Sequence, residues 1–91
     1  MLIEQSYGRN RMNRKQIRDT VAKYQTKPGY ILDLTRIQFE NIFWDVLDID
    51  IMSDQYADLG DSVGKRFTSF LTQSDNKSIY SILDVLDSML D

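Results

Sequence analysis

Residues 34–71 decide the fold of this chain, and they read LTRIQFENIFWDVLDIDIMSDQYADLGDSVGKRFTSFL. A first helix is predicted here over 36–47, because Thr35 and Gln38 form a capping box ahead of it and apolar residues recur at helical spacing; these are Phe39, Ile42, Phe43, Val46 and Leu47. A second is predicted over 63–73, with Ser62 as its cap and one apolar face formed by Val63, Phe67, Phe70 and Leu71. The acidic connector between them holds one short helical turn, predicted from Ser53 or Asp54 to Leu59 with Gly60 as its stop.

The flanking segments add two more helices. Asn13 and Gln16 predict a helix over 14–25, and Lys27-Pro28-Gly29 ends it. Residues 30–34 are apolar, but no second alternating run is present to pair with them, so we expect an extended connector. Ser74 or Asp75 caps the last helix, whose apolar stripe continues to the end of the chain through Ile79, Ile82, Leu83, Leu86, Met89 and Leu90.

These patterns predict an all-α fold, a small bundle of four main helices plus one short helical turn in a single domain. Residues 1–12 are expected to be a flexible basic arm and residues 13–91 the helical domain. No glycine follows the last apolar stripe, which is typical of the N-terminal module of a longer protein. Gly64 in the first turn of a helix lowers helix stability, so we expect it to permit a close backbone approach.

Composition argues against catalysis. The 91 residues include neither histidine nor cysteine, so the commonest general base and the commonest metal ligands are missing. Asp48, Asp50 and Asp54 do not match a calcium loop, and residues 60–66 have the wrong spacing for a phosphate loop. We therefore expect no enzyme activity, no metal and no cofactor. The lack of cysteine and of any apolar run of about 20 residues favours a cytoplasmic location without a membrane contact.

Charge is divided along the chain. Residues 1–30 carry seven basic and two acidic residues, a net charge of +5, and residues 31–91 carry four basic and twelve acidic residues, a net charge of −8. This division indicates either nucleic-acid contact or docking of the first segment on the rest of the chain, and both interpretations stay open. The candidate contacts to an anion or nucleic acid lie on the first helix (Arg14, Lys15, Arg18) and in the first turn of the third (Lys65, Arg66).

Trp44 lies one position off the apolar stripe of its helix. An aromatic side chain in that place either completes the core or contacts a partner, since tryptophan is enriched where interfaces are anchored. The sequence leaves both interpretations open.

The central stretch resembles a known family. The spacing LT-x3-F-x3-F, the run 48–51 and then Tyr56-Ala57-Asp58-x-Gly60-x-Ser62-x-Gly64-Lys65-Arg66 are similar to a small N-terminal domain of bacterial abortive-infection proteins of the AbiJ-like kind. The resemblance covers about residues 14–90, and Thr68 stands where the family usually has a basic residue. It implies a helical module ahead of an effector or signalling domain, with no activity of its own and no established binding residues.

The function expected from the sequence is a non-catalytic adaptor or sensor module of a phage-defence protein. It would act through contacts with a protein partner or with the C-terminal domain of its own chain. The alternative is a nucleic-acid-binding helical domain that uses the basic first helix and the Lys65/Arg66 turn.

Overall fold

Four α-helices and one short hairpin make up residues 11–90, the part of the chain that the computed structural model describes. The elements follow in the order α1 (Arg14–Tyr24), β1 (Gln25–Lys27), β2 (Tyr30–Ile31), α2 (Arg36–Leu47), a 3-10 turn (Asp54–Tyr56), α3 (Val63–Gln73) and α4 (Asn76–Ser88). The predicted all-α bundle of four helices and one short turn is therefore confirmed. Most of the predicted arm, residues 1–10, lies outside the described residues, as does Asp91.

Side-chain caps fix where the helices begin. Asn13 and Thr35 each accept a hydrogen bond, through the side chain, from the backbone N–H of the glutamine three residues on. The side chain of that glutamine in turn accepts from the backbone N–H of the cap, so both predicted capping boxes are confirmed. Ser62 caps α3 and Asp75 caps α4 in the same position. These local bonds explain why the predicted starts of the four helices agree with the structure.

A continuous row of aromatic rings forms the centre of the core. Phe43 packs against Phe39 and Phe70 with ring centroids 4.9 and 4.8 Å apart, and Phe39 meets Phe67 edge to face at 6.3 Å. The row therefore joins α2 to α3. Helix α4 closes the other side of α2, and α1 lies beside α3. The four phenylalanines predicted as core residues are all fully buried.

The hairpin corrects the prediction for residues 30–34. Residues 30 and 31 do not form an unpaired connector, because Lys27 pairs with Tyr30 and Gln25 with Ile31 in an antiparallel ladder. Pro28 and Gly29, with φ of 84° at Gly29, turn the chain between the strands in the residue order that a type II turn prefers. The strand 25–27 is exposed throughout, so it carries no apolar alternation from which it could have been predicted.

The connector between α2 and α3 is more irregular than predicted. The helical turn does not reach Leu59, because only Asp54–Tyr56 is helical, and it is a 3-10 turn whose N-cap, Ser53, makes no capping bond through its side chain. Ile51 anchors the connector in the core with no exposed surface.

Gly64 brings α3 against the hairpin turn. Its N–H donates to the Gly29 carbonyl at 3.0 Å, and a Cβ at position 64 would lie only 3.3 Å from the Cα and carbonyl carbon of Gly29. The close backbone approach expected at Gly64 is therefore confirmed, and its neighbour is the turn of the hairpin.

Candidate functional site

An open groove of about 600 Å³ runs between α1 and α3. Its apolar floor comes from one face of α1, and Arg14 and Arg18 stand one turn apart along its edge; the lining residues are Arg14, Ile17, Arg18, Val21, Ala22, Gln25, Leu59, Thr68 and Thr72. We call this surface the α1–α3 groove. Leu59, on the connector, is 48% exposed, so the groove already presents a large apolar side chain to solvent.

The α1–α3 groove continues toward the hairpin turn. A smaller depression of about 280 Å³ shares Val21, Gln25 and Thr68 with it and adds the surface around Gly29, Ser62 and Lys65. The Lys65 side chain lies across Gly60, where a Cβ would be 2.4 Å from the lysine Cδ. Gly60 therefore leaves room for the aliphatic part of Lys65 at this end of the surface.

The charges around this combined surface have one sign. Arg14 and Arg18 border its main part and Lys65 borders the extension, whereas neither part is lined by an aspartate or glutamate. The chain as a whole has 14 acidic residues and a net charge of −3. Arg14, Arg18 and Lys65 take part in no ion pair within residues 11–90. The structure thus collects three of the five predicted basic contacts on one apolar surface.

The other two predicted basic contacts lie elsewhere. Lys15 pairs with Asp19 one turn along α1, with 2.7 Å between the ammonium and the carboxylate, and it does not line the groove. Arg66 is 6% exposed, and its Nη1 donates to the carbonyls of Ile51 at 3.0 Å and Ser53 at 2.9 Å. Its Nε and Nη2 donate to the Asp61 carboxylate. Arg66 is therefore a structural residue here and not an anion contact.

Arg66 organises the connector together with Asp61. The Asp61 carboxylate accepts from Arg66 and also from Arg36 of α2, and the bonds from Arg66, followed by those from Arg36, lower the pKa of Asp61. Most residues that carry the family resemblance have a role in this region. Tyr56 is buried in the core and Asp58 accepts from Ser69. These motif residues therefore hold the connector against α3, and this structural role explains their presence without a bound ligand.

Trp44 occupies a different surface. It is 43% exposed and its indole Nε1 donates weakly to Glu40 at 3.4 Å. Ile37, two turns earlier on the same face of α2, is 69% exposed. Trp44 therefore does not complete the core, and with Ile37 it forms a second exposed apolar surface, the α2 patch.

A polar cluster ties the end of α4 to the end of α1. The Tyr24 hydroxyl donates to the Asp87 carboxylate, and the Lys23 ammonium lies 3.1 Å from the same carboxylate oxygen. The bond from Tyr24, followed by that from Lys23, holds the pKa of Asp87 below the ordinary aspartate value. Desolvation, followed by the bond to Asp87, raises the pKa of Tyr24.

We expect Asp87→Asn to lower the melting temperature at neutral pH and to lose this effect in acid. Because the pKa of Asp87 is lower in the folded state, its charge contributes stability above the unfolded value of about 3.9, and that contribution disappears as the pH falls through the folded pKa. The difference between the two melting temperatures should therefore begin to shrink below about pH 3.9 and vanish only once the pH is below the folded pKa of Asp87. Asp84→Asn, on the exposed face of α4, is the matched control. A difference between Asp87→Asn and wild type that stays constant with pH would contradict this reading.

Within residues 11–90, no cluster of acidic, histidine or cysteine side chains has the form of a metal site. No helix in the same range has both the length and the apolarity needed to cross a bilayer. Comparisons of the chain with protein-family models, with curated proteins and with solved structures find no match.

Proposed function

We propose that this chain is a non-catalytic interaction module of a bacterial phage-defence protein of the abortive-infection kind. It works in the cytoplasm through contacts with a protein partner or with a further domain of its own chain. One observation carries the proposal, the α1–α3 groove, whose apolar floor remains open to solvent beside two arginines. Exposed apolar surface of this kind, edged by polar side chains, marks interaction sites. The resemblance of residues 14–90 to AbiJ-like N-terminal domains supplies the phage-defence context.

The composition supports the non-catalytic part of this proposal. The chain has no histidine and no cysteine, so nucleophilic and general-base chemistry lack their usual residues. Arg66, the last residue of the segment 60–66 that was compared with a phosphate loop, already donates its hydrogen bonds to the connector carbonyls and Asp61.

A plaque assay tests this function. Bacteria that express the native gene encoding this chain are challenged with a panel of phages, and we expect the number of plaques to fall relative to an empty vector. Arg14→Glu with Arg18→Glu should abolish that protection, whereas Lys15→Glu with Lys77→Glu, which makes the same change in net charge outside the groove, should retain it. Absence of protection by the wild-type gene against every phage would refute the phage-defence assignment.

Nucleic-acid binding is a second candidate, favoured by the position of Arg14, Arg18 and Lys65 around one surface. Neutralised phosphates release counterions, so such binding must weaken steeply between about 50 and about 200 mM salt. Fluorescein-labelled single-stranded and duplex DNA and RNA of about 20 residues, titrated with the chain at both salt concentrations, decide it. Lack of binding at the lower salt concentration excludes this candidate.

A further inference from the structure

Resting on the proposed function, we infer that the partner of the α1–α3 groove is an acidic amphipathic helix of another protein segment. Such a helix would place its apolar face on the groove floor and its carboxylates beside Arg14 and Arg18. Docking of an amphipathic helix into an apolar groove is a common mode of peptide recognition.

The shape of the groove suits a helix better than an enclosed small molecule. Arg14 and Gln25 line its two ends along α1, and the helical rise of 1.5 Å per residue makes it roughly 16 Å long, or about three turns of a partner helix. Most of its lining is solvent-exposed, including Ala22 and Leu59, so the groove is a surface channel. The hydroxyls of Thr68 and Thr72 on α3 donate to carbonyls of their own helix, so neither hydroxyl proton requires a partner from a ligand in the groove.

Charge selects the sign of the partner. The two arginines are four residues apart on α1, one helical turn, which matches acidic residues at positions i and i+4 of a docked helix. A basic helix would meet like charges with no carboxylate in the lining to offset them. Guanidinium groups also bind carboxylates in bidentate geometry, which gives direction as well as attraction.

Two other classes of ligand fit the groove less well. Nucleic acid bound without sequence preference stacks its bases on aromatic side chains, and no tryptophan, tyrosine or phenylalanine lines the groove. The exposed aromatics Tyr30, Trp44 and Tyr80 lie on β2, α2 and α4 and do not line the groove. A second copy of the chain could present α4, but the Asp87 carboxylate near the end of that helix is already bound to Lys23 and Tyr24. It could also present the α2 patch beside Glu40, and a dimer of the chain alone in sedimentation that the Arg14→Glu/Arg18→Glu variant loses would replace the inference with self-association.

A display experiment tests the inference with the whole 91-residue chain. The probe is a library of peptides of about 16 residues with leucine fixed at i, i+3, i+4 and i+7, and with the flanking positions varied among glutamate, glutamine and lysine. We expect selection to enrich glutamate pairs spaced four residues apart. A fluorescein-labelled enriched peptide should bind wild type, and Arg14→Glu with Arg18→Glu should weaken binding by about tenfold or more. Lys15→Glu with Lys77→Glu should leave it within about twofold.

The outcomes separate this inference from the proposed function. The acidic-helix inference is overturned if the selected peptides carry lysine at the varied positions or show no preference for a charge there. It is also overturned if the Arg14→Glu/Arg18→Glu variant binds the peptide with unchanged affinity. If Trp44→Ala abolishes peptide binding instead, the chain is an interaction module whose site is the α2 patch, and the inference about the α1–α3 groove is overturned. Salt-sensitive binding of the labelled oligonucleotides that depends on Arg14 and Arg18 replaces the inference with nucleic-acid binding. If circular dichroism shows that the Arg14→Glu/Arg18→Glu variant does not fold, the Arg14→Gln/Arg18→Gln variant is used in its place. Its affinity for the peptide is also expected to be lower than that of wild type.

Discussion

Replacing Phe43 by alanine is expected to cost about 3–5 kcal/mol of unfolding free energy, the usual range for a fully buried phenylalanine. Phe43 has no exposed surface, and its ring contacts both Phe39 and Phe70, so its removal opens a cavity between α2 and α3. A domain of this size has a total stability of about 5–15 kcal/mol. Urea denaturation followed by far-ultraviolet circular dichroism should therefore show a much lower midpoint or no folded baseline.

The adjacent residue provides the control for this experiment. Trp44 is a larger aromatic side chain on the same helix, but it is 43% exposed, so Trp44→Ala should cost about 1 kcal/mol or less. If Phe43→Ala and Trp44→Ala shift the midpoint equally, the aromatic row is not the centre of the core.

Replacing Arg66 by methionine is expected to cost about 2–4 kcal/mol, because methionine fills the space but makes none of the hydrogen bonds. The Ile51 carbonyl would lose the bond from Nη1, whereas the Ser53 carbonyl would keep its bond from the Tyr56 N–H. The penalty therefore comes chiefly from one buried carbonyl and from the loosened connector. Chemical denaturation of the variant measures it.

Arg36→Met is the matched control for Arg66→Met. Arg36 contacts the same carboxylate, Asp61, at 3.2 Å and donates to the backbone carbonyl of Asp61 at 2.7 Å, but its side chain is half exposed, so its loss should cost about 1 kcal/mol or less. Equal losses for the two variants would show that the bonds to Asp61 matter and that the bonds from Arg66 to the carbonyls of Ile51 and Ser53 do not.

The sequence predicts the helices well because their signals are local. Asn13 with Gln16 and Thr35 with Gln38 mark two helix starts within four residues, and the phenylalanines of α2 and α3 follow the helical period. The hairpin was missed because residues 25–27 are polar and exposed. The Pro28-Gly29 pair is the signal in the sequence that indicates the hairpin, because two turn-forming residues between two short segments favour a hairpin.

The candidate site is less accessible to sequence reasoning because it is formed by tertiary packing. The groove joins Ile17 and Val21 of α1 to Thr68 and Thr72 of α3, and these segments lie about fifty residues apart with no pattern that links them. The arginines at 14 and 18 were predicted as contacts, but the apolar floor beside them became visible only once α1 lay against α3. The interior place of Arg66 was also missed, since an arginine in a first helical turn is usually solvated.

The position of a bound helix on the domain decides whether the α1–α3 groove is the partner surface. Isotope-labelled chain is titrated with the enriched acidic peptide, and the backbone amide resonances are followed by nuclear magnetic resonance. We expect the largest shifts on Ile17, Val21, Leu59 and Thr72, with Ile37 and Trp44 nearly unchanged. Shifts centred on Ile37 and Trp44, or no saturable shifts at all, would contradict the assignment of the α1–α3 groove as the partner surface.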